Sequence, residues 1–206
     1  MVQPWRCIVS DDFFFNYANK IAEYSNLINH IYVDRAYTVL LDAYLNKIPV
    51  YVIGNGGSAS LSQHFSCDHT KGVCHDTEIK SNVISLASNI ALMTAIANDY
   101  SYDEVFSKQI EYENNIGSQH MLVAISASGN SPNIVKALET AKSFGWNTIS
   151  FVGFDGGRIL KDNLSNITIH VPVNNYGMVE DIHQMLMHSI SQRIRSQHNV
   201  LGNLKL

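Results

Sequence analysis

Two loops rich in glycine and serine contain the residues best suited to binding an anion. The first reads Gly-Asn-Gly-Gly-Ser-Ala-Ser at residues 54–60, and the second reads Ser-Ala-Ser-Gly-Asn-Ser-Pro at residues 126–132. Glycine lets the backbone approach an anion closely, and the amides that open a helix attract negative charge. Neither loop has the spacing of a Walker or dinucleotide-binding loop, and neither contains arginine or lysine. Each loop alone is also compatible with a tight turn or a helix cap, but together they predict a site for a single phosphate ester.

Each loop follows a short run of apolar, β-branched residues and precedes a stretch with helical periodicity. Such runs are typical of strands buried in a parallel sheet. We expect strands at residues 50–53, 82–86, 121–126, 147–152 and 167–171, and helices at about 58–68, 89–98, 101–115, 133–144 and 178–197. The alternation predicts an α/β sandwich with a parallel five-stranded sheet, which binds ligands at the carboxyl ends of its strands.

The N-terminal part has a different pattern. Residues 11–46 lack both glycine and proline, and their apolar residues recur at helical spacing. This pattern predicts two helices, broken somewhere near residues 29–33. We therefore divide the chain into an N-terminal helical arm at residues 1–46 and an α/β domain at residues 47–206, which together form one structural unit. The arm carries no chemistry of its own and is expected to serve assembly.

Composition excludes several classes of protein. The chain has 206 residues, of which 46% are hydrophobic and 16% charged, and this is typical of a globular domain rather than a disordered or collagen-like chain. A net charge of -4 gives no electrostatic case for binding nucleic acid. No apolar run approaches the ~20 residues that cross a bilayer, and no secretory leader is recognisable. Together with cysteines Cys7, Cys67 and Cys74, which we interpret as reduced thiols, these features predict a cytoplasmic protein without a membrane partner.

Four segments give the chain a resemblance to a known family. The two glycine-serine loops look like those of the sugar isomerase (SIS) domain. Residues 97–109, Ala-Asn-Asp-Tyr-Ser-Tyr-Asp-Glu-Val-Phe-Ser-Lys-Gln, resemble the GNDYGYEDVFSRQ segment of bacterial phosphoheptose isomerases, and residues 154–157 resemble the Asp-Gly-Gly turn of that family. The similarity extends from about residue 10 to about residue 195.

The resemblance implies a fold, an activity and an assembly. The fold is the three-layer αβα sandwich of the SIS domain. The activity is aldose-ketose isomerisation of sedoheptulose 7-phosphate to D-glycero-D-manno-heptose 7-phosphate, a step in lipopolysaccharide or capsule biosynthesis. The phosphorylated sugar is thus the expected partner, together with other copies of the chain. Members of the family form homotetramers with active sites at subunit borders, and a homodimer is less expected.

The resemblance also implies a set of substrate-binding residues. In the family the phosphate is held by the second loop, which corresponds here to Ser126, Ala127, Ser128 and Ser131. The sugar is expected to contact further positions, namely Asn55, Gly56, Gly57, Ser58, Asn98, Asp99 and Glu180.

A metal and acid-base cluster is implied at four more positions. The family has a histidine ten residues after its first glycine and a glutamate four residues later, which correspond to His64 and Asp68. It also has a glutamine and, eight residues on, a histidine, which correspond to Glu180 and His188. All four side chains can bind Zn²⁺ or a similar divalent ion. Eight residues span roughly 12 Å of helix, so Glu180 and His188 must reach toward each other or serve sites in different subunits.

Asp68 and His188 are the expected acid-base pair of the isomerase. An isomerase needs an acid and a base near a cis-enediol, with a group that stabilises the developing oxyanion. Because an ordinary aspartate, with a pKa of about 3.9, is a weak base at pH 7, we favour His188 as the base for one step.

Three departures from the family pattern leave two alternatives open. Glutamate is replaced by Asp68, glutamine by Glu180, and an arginine that follows the glutamate is missing, with Lys71 as the nearest cation. The first alternative is an isomerase or epimerase acting on another sugar phosphate in surface-polysaccharide synthesis. The second is a non-catalytic protein that binds sugar phosphates for regulation, although such a protein would not need the complete cluster.

Overall fold

The computed structural model describes residues 12–114 and 118–200. Its centre is a five-stranded sheet whose strands are all parallel and lie in the order β2-β1-β3-β4-β5. The strands are β1 (Val50–Gly54), β2 (Val83–Ser85), β3 (Met121–Ser126), β4 (Asn147–Val152) and β5 (Ile167–His170). All five expected strands are present, and the prediction of an α/β fold is confirmed.

Helices cover both faces of the sheet. They are α1 (Phe13–Ser25), α2 (His30–Leu45), α3 (Gly57–Cys67), α4 (Ile90–Asp99), α5 (Ser107–Glu113), α6 (Pro132–Ser143), α7 (Gly157–Lys161) and α8 (Tyr176–Gln197). Apolar side chains of α2, α3 and α8 form one core with the sheet, and those of α4, α5 and α6 form a second core. Because β1 and β3 are buried along their whole length, the protein has the three layers of an αβα sandwich.

The two helices of the predicted N-terminal arm differ in burial. Helix α2 places Ala36, Leu40, Ala43 and Tyr44 in the core, whereas α1 has no buried residue and contacts α8. The break between them lies at residues 26–29, slightly earlier than expected, because the Asn29 side chain caps α2 by accepting a hydrogen bond from the Ile31 amide. The proposed division at residue 46 remains a prediction, and Cys7 and the start of the arm lie outside the described residues.

Two local features differ from the expected helices. The stretch at 101–115, expected to be one helix, is a 3₁₀ turn at Tyr102–Glu104 followed by α5, because the chain bends there to bury Val105 and Phe106. Helix α3 continues into a π-helical turn at Asp68–Gly72 that the sequence did not predict. Such widened turns are common at functional sites, and this one begins at a predicted catalytic residue.

Within the described part of the chain, no helix combines the length and the hydropathy that crossing a membrane requires.

Candidate active site

A small pocket lies where β1 and β3 end. In a sheet of order 2-1-3-4-5, the chain leaves these two neighbouring strands in opposite directions, which opens a crevice at their carboxyl ends. The pocket has a volume of about 130 Å³ and is lined by Asn55, Ser58, Ile125, Ser126, Ala127, Ser128, Ser131, Tyr176 and Glu180. The structure thus brings both glycine-serine loops and the start of α8 to one place, as the resemblance implies.

The second loop is held in place by the turn that follows β4. Gly129 has a φ of +63°, and a Cβ atom at this position would overlap the carbonyl oxygen of Gly156. The Ile159 amide donates to the Gly129 carbonyl at 3.1 Å, and the Arg158 amide donates to the Asn130 side-chain oxygen at 2.9 Å. The Asp-Gly-Gly turn therefore fixes the conformation of the loop that the resemblance assigns to phosphate binding.

The hydroxyls of this loop are available to a ligand. Ser126 is 4% exposed, and its Oγ has no hydrogen-bond partner among the described residues. Ser131 precedes the first turn of α6, but its side chain makes no capping hydrogen bond. An unpaired buried hydroxyl is costly unless a ligand or water satisfies it, so the pocket is suited to a group with several acceptor oxygens.

The first loop is organised around Asn55. The amide groups of Asn55 and Asn133 exchange two hydrogen bonds, of 2.8 and 2.9 Å, and the Tyr102 hydroxyl donates to Asn55 Oδ1 at 2.9 Å. Gly57 faces the first turns of α8, since a Cβ atom there would overlap the Glu180 carboxylate. Asn133, Tyr102 and Tyr176 were not identified from the sequence as site residues, although Tyr102 lies within the segment that carries the resemblance.

Two predicted substrate residues lie elsewhere in this chain. Asn98 and Asp99 are exposed at the end of α4, where the Asn98 amide donates to the Asp99 carboxylate at 2.9 Å. They do not line the pocket. Within one copy of the chain, Asn98 and Asp99 therefore do not reach the pocket in which the sugar is expected.

A cluster of two histidines and one aspartate forms beside the pocket. His64 and Asp68 lie one turn apart at the end of α3, and His188 faces them from α8. Asp68 Oδ2 is 3.2 Å from His64 Nε2 and 3.0 Å from His188 Nε2, and the two imidazole nitrogens are 3.0 Å apart. Each residue offers one ligand atom, and these atoms lie within 4.8 Å of one another.

The donor set of this cluster suits a divalent metal ion. Two imidazoles and one carboxylate are the protein ligands of many catalytic zinc sites, which leave a further position open. The same three groups can also exchange protons, because carboxylate and imidazole lie within hydrogen-bond distance of each other. His64 and His188 are exposed, so a substrate can reach them.

The fourth predicted ligand, Glu180, lies outside this cluster. It is two helical turns before His188 and lines the pocket beside Gly57. The side chain that does approach the cluster on α8 is Gln184, whose Nε2 is 2.8 Å from His188 Nε2. The sequence did not identify Gln184, because no motif marks it.

Two further histidines near the cluster belong to the core. Burial lowers the pKa of His69 to about 3 and that of His183 to about 4, so both imidazoles are neutral near pH 7. His69 stacks on Phe65 with ring centroids 3.8 Å apart, and its Nδ1 is 2.7 Å from the Tyr44 hydroxyl. His183 meets Phe151 of β4 edge-on, with ring centroids 5.9 Å apart, so both imidazoles serve the packing of the core.

Comparison with known proteins identifies the family. A family model for the SIS domain matches residues 14–153. The phosphoheptose isomerase of Helicobacter pylori (strain P12) is 38% identical over 151 residues, which are 73% of this chain and 76% of that protein. That of Aliarcobacter butzleri (strain RM4018) is 34% identical over 166 residues, which are 80% of this chain and 85% of that protein.

A solved structure agrees with the sequence matches. The phosphoheptose isomerase of Neisseria gonorrhoeae superposes with a TM-score of 0.78 at 29% identity, covering 90% of this chain and 96% of that one. The family model covers more than half of this chain, and the relatives are matched over most of their length. The chain therefore belongs to the SIS domain family and is a member of its phosphoheptose isomerase group.

Proposed function

We propose that this protein isomerises sedoheptulose 7-phosphate to D-glycero-D-manno-heptose 7-phosphate. The observation that carries the proposal is the relative placement of two sites on α3 and α8. The first turns of both helices line a pocket of phosphate size, and the acid-base cluster lies further along the same two helices. Relatives named phosphoheptose isomerase, at 34–38% identity, support the same activity.

The spacing of the two sites suits a seven-carbon substrate. Ser58, in the pocket, is six residues before His64 on α3, and Glu180 is eight residues before His188 on α8. With a rise of 1.5 Å per residue, these separations are roughly 9 and 12 Å along the helices. Because a C–C bond is about 1.5 Å long, an extended heptose with phosphate on C7 places C1 and C2 roughly 10 Å from the phosphate. Phosphate in the pocket would thus leave the reacting carbons at the cluster.

The second loop would bind the phosphate, and the first loop the adjacent hydroxyls. Hydroxyls of Ser126, Ser128 and Ser131 and the opening amides of α6 are the donors available to phosphate oxygens. Asn55 is held by its partners with its amide edge at the pocket, which suits it to orient a sugar hydroxyl.

The cluster would carry out the proton transfers. A base removes the proton from C1 of the ketose while the O2 carbonyl oxygen takes up a proton, giving a cis-enediol. The O1 hydroxyl then loses its proton as C2 gains one, and the aldehyde forms at C1. His188 and Asp68 are the proposed acid-base pair, with His188 the base for one of the steps, and their 3.0 Å contact allows a proton to pass between them.

We also assign a divalent ion, with Zn²⁺ the expected one, to this cluster. His64, Asp68 and His188 would hold it. Such an ion polarises a carbonyl oxygen and stabilises negative charge on it.

Assembly into a homotetramer is part of the proposal. Helix α1 exposes Phe13, Phe14 and Phe15 at 74%, 82% and 58%, which is a large apolar surface for one helix.

Light scattering should give four times the 23.0 kDa chain mass, and Phe14→Asp should lower the measured mass. A monomer in the wild type would contradict the assembly and leave the assignment of Asn98 and Asp99 without support.

The activity can be tested by following the aldose product from sedoheptulose 7-phosphate. We expect turnover by the wild type and a loss of at least 100-fold in kcat for Asp68→Asn, because general acid-base groups contribute about 10² to 10⁴ in rate. Asp103→Asn, at an exposed carboxylate outside the site, serves as the matched control and should retain activity. Absence of turnover in the wild type, with turnover of another sugar phosphate, would favour the alternative substrate class.

A further inference from the structure

A second and larger pocket lies beside β5, the outermost strand of the sheet. Residues from the start of α2, from β5 and from the loop that joins α7 to β5 line it. Its volume is about 360 Å³, against about 130 Å³ for the pocket at the two glycine-serine loops. The two pockets share no lining residue, so the proposed isomerase reaction gives the larger pocket no role.

The charge of this second pocket favours an anion. Arg35, an exposed residue of α2, is the one permanent charge among its described lining residues, none of which carries a carboxylate. The Arg35 guanidinium lies 5.7 Å from the centre of the Tyr32 ring, and the neighbouring Asp34 pairs with Arg193 instead. A guanidinium without a carboxylate partner is suited to bind the oxygens of a phosphate or carboxylate ligand.

Two asparagine side chains add hydrogen-bond donors to the pocket. Asn29 Oδ1 accepts from the Ile31 amide at 3.0 Å, and Asn166 Oδ1 accepts from the Thr148 amide at 2.8 Å. Because a backbone N–H can only donate, the atoms that face these amides are oxygens, and the side-chain nitrogens are the ends left for a ligand. Together with Arg35, these donors suit the three oxygens of a phosphate group better than the two of a carboxylate.

The remaining wall suits a flat ring. Leu27, Tyr32 and Leu160 line it, and the first two are 60% and 38% exposed. His170 Nε2 is 2.9 Å from the Phe154 carbonyl oxygen, so Nε2 carries a proton and Nδ1 of the neutral ring is an acceptor. A nucleobase matches this wall, because its faces stack on an aromatic ring and its amino group can donate to an imidazole nitrogen.

We propose that this pocket is a second ligand site, which binds a nucleoside monophosphate. Arg35, Asn29 and Asn166 bind the phosphate, and the base packs against Leu27 and Tyr32. The volume of the pocket lies within the range of about 300–1,000 Å³ that is typical of ligand sites. The inference does not rest on the isomerase activity, because none of these residues belongs to the site of that reaction.

Calorimetric titration of the full-length protein with AMP, inorganic phosphate and adenosine tests this inference. We expect AMP to bind at least 10-fold more tightly than either fragment, because AMP alone occupies both parts of the pocket. Arg35→Met should weaken AMP binding by about 10-fold or more, because a charged hydrogen-bond donor is lost. The matched control is Arg193→Met, at an arginine that also lies over a tyrosine ring but does not line the pocket, and it should keep the wild-type affinity.

A second variant tests the site of the base. Tyr32→Leu should weaken the binding of AMP by several-fold and leave the binding of inorganic phosphate unchanged, because the ring is lost and the phosphate donors remain. Far-ultraviolet circular dichroism and the Tm of each variant show whether it is folded.

Further titrations distinguish this site from the isomerase pocket. Ser126→Ala should bind AMP as the wild type does, and saturating sedoheptulose 7-phosphate should leave AMP affinity unchanged. The inference is overturned if AMP does not bind, if Arg35→Met binds it as tightly as the wild type, or if the sugar phosphate displaces it. The isomerase proposal fails separately, because it requires turnover of sedoheptulose 7-phosphate with no nucleotide present.

Discussion

At the scale of single residues, the site depends on polar atoms that the protein itself leaves unpaired. Ser126 Oγ is buried in the pocket, and no described residue pairs with it. Ser150, on β4, has the same property but does not line the pocket. Comparing variants of Ser126 and Ser150 therefore distinguishes the effect of an unpaired buried hydroxyl on substrate binding from its effect on protein stability.

Ser126→Ala should weaken substrate binding without harming the fold. A hydrogen bond to a charged group is worth about 1.5–3 kcal/mol, so we expect KM to rise by roughly 10-fold or more, with Tm unchanged or slightly higher. Ser150→Ala should leave KM unchanged. Steady-state kinetics and thermal unfolding of both variants test this, and an unchanged KM in Ser126→Ala would argue against a phosphate at the second loop.

Tyr102 is expected to position Asn55. Its hydroxyl donates to Asn55 Oδ1, and Tyr102→Phe removes this bond while keeping the ring. A neutral hydrogen bond contributes about 0.5–1.5 kcal/mol, so KM should rise by roughly 2- to 10-fold. The control is Tyr100→Phe, an exposed tyrosine two residues away, which should behave as the wild type. Equal kinetics in the two variants would contradict the role given to Tyr102.

Spacing in the sequence predicted only some of these residues. His64 and Asp68 lie one helical turn apart, so their meeting follows from helix geometry alone. Gln184 and Tyr102 could not be identified in this way, because their contacts depend on how α8 and the 3₁₀ turn pack against other elements. The place of Glu180 could not be predicted either, because its position along α8 does not reveal whether its side chain lies in the pocket or in the cluster.

At the scale of elements, the phosphate loop depends on the turn behind it. Gly129 and Gly145 both have positive φ, of +63° and +74°, but only a Cβ at Gly129 would strike another part of the chain, at Gly156. Alanine at either position should cost about 1–2 kcal/mol of stability for the left-handed conformation. Only Gly129→Ala should also displace the loop.

The two glycine variants can therefore be compared by substrate affinity. We expect a loss of at least 10-fold in binding of sedoheptulose 7-phosphate for Gly129→Ala, and wild-type affinity for Gly145→Ala, measured by calorimetry. Equal affinities would show that the contact between the second loop and the Asp-Gly-Gly turn does not hold the site.

The elements were predictable where one local rule decides them. Strands β1, β3 and β4 are short segments rich in apolar and β-branched residues, and their predicted limits agree with the structure to within one residue. The π-helical turn after α3 and the bend before α5 were not predictable. The π-helical turn begins at Asp68, whose carboxylate contacts His188 of α8, and the bend buries Phe106 in the core. Contacts of this kind between distant segments leave no local periodicity in the sequence.

At the scale of the whole molecule, buried neutral histidines tie stability to pH. The pKa of His183 is lowered to about 4 in the folded state, whereas a histidine in the unfolded chain has a pKa of about 6.5. Between these values the unfolded state binds more protons, so the free energy of unfolding must fall as pH decreases from about 6.5 to about 4. His69, whose pKa is lowered to about 3, acts in the same direction.

Replacing His183 should reduce this dependence. We expect the slope of unfolding free energy against pH, between pH 4.5 and 6, to fall by about 1.4 kcal/mol per pH unit in His183→Met, which is the contribution of one proton. The exposed His30→Gln is the control and should keep the wild-type slope. Urea unfolding at several pH values gives the slopes, and identical slopes in all three proteins would place the linked proton elsewhere.

The proposed proton transfer by His188 can be followed directly at the reacting carbons. Sedoheptulose 7-phosphate is incubated with the full-length protein in D₂O, and proton NMR monitors C1 and C2, with and without a chelator. We expect the wild type and His198→Ala to form an aldose phosphate with deuterium at C2, and His188→Ala to form none. Turnover that survives in His188→Ala at the wild-type rate would contradict the assignment of proton transfer to the cluster on α3 and α8.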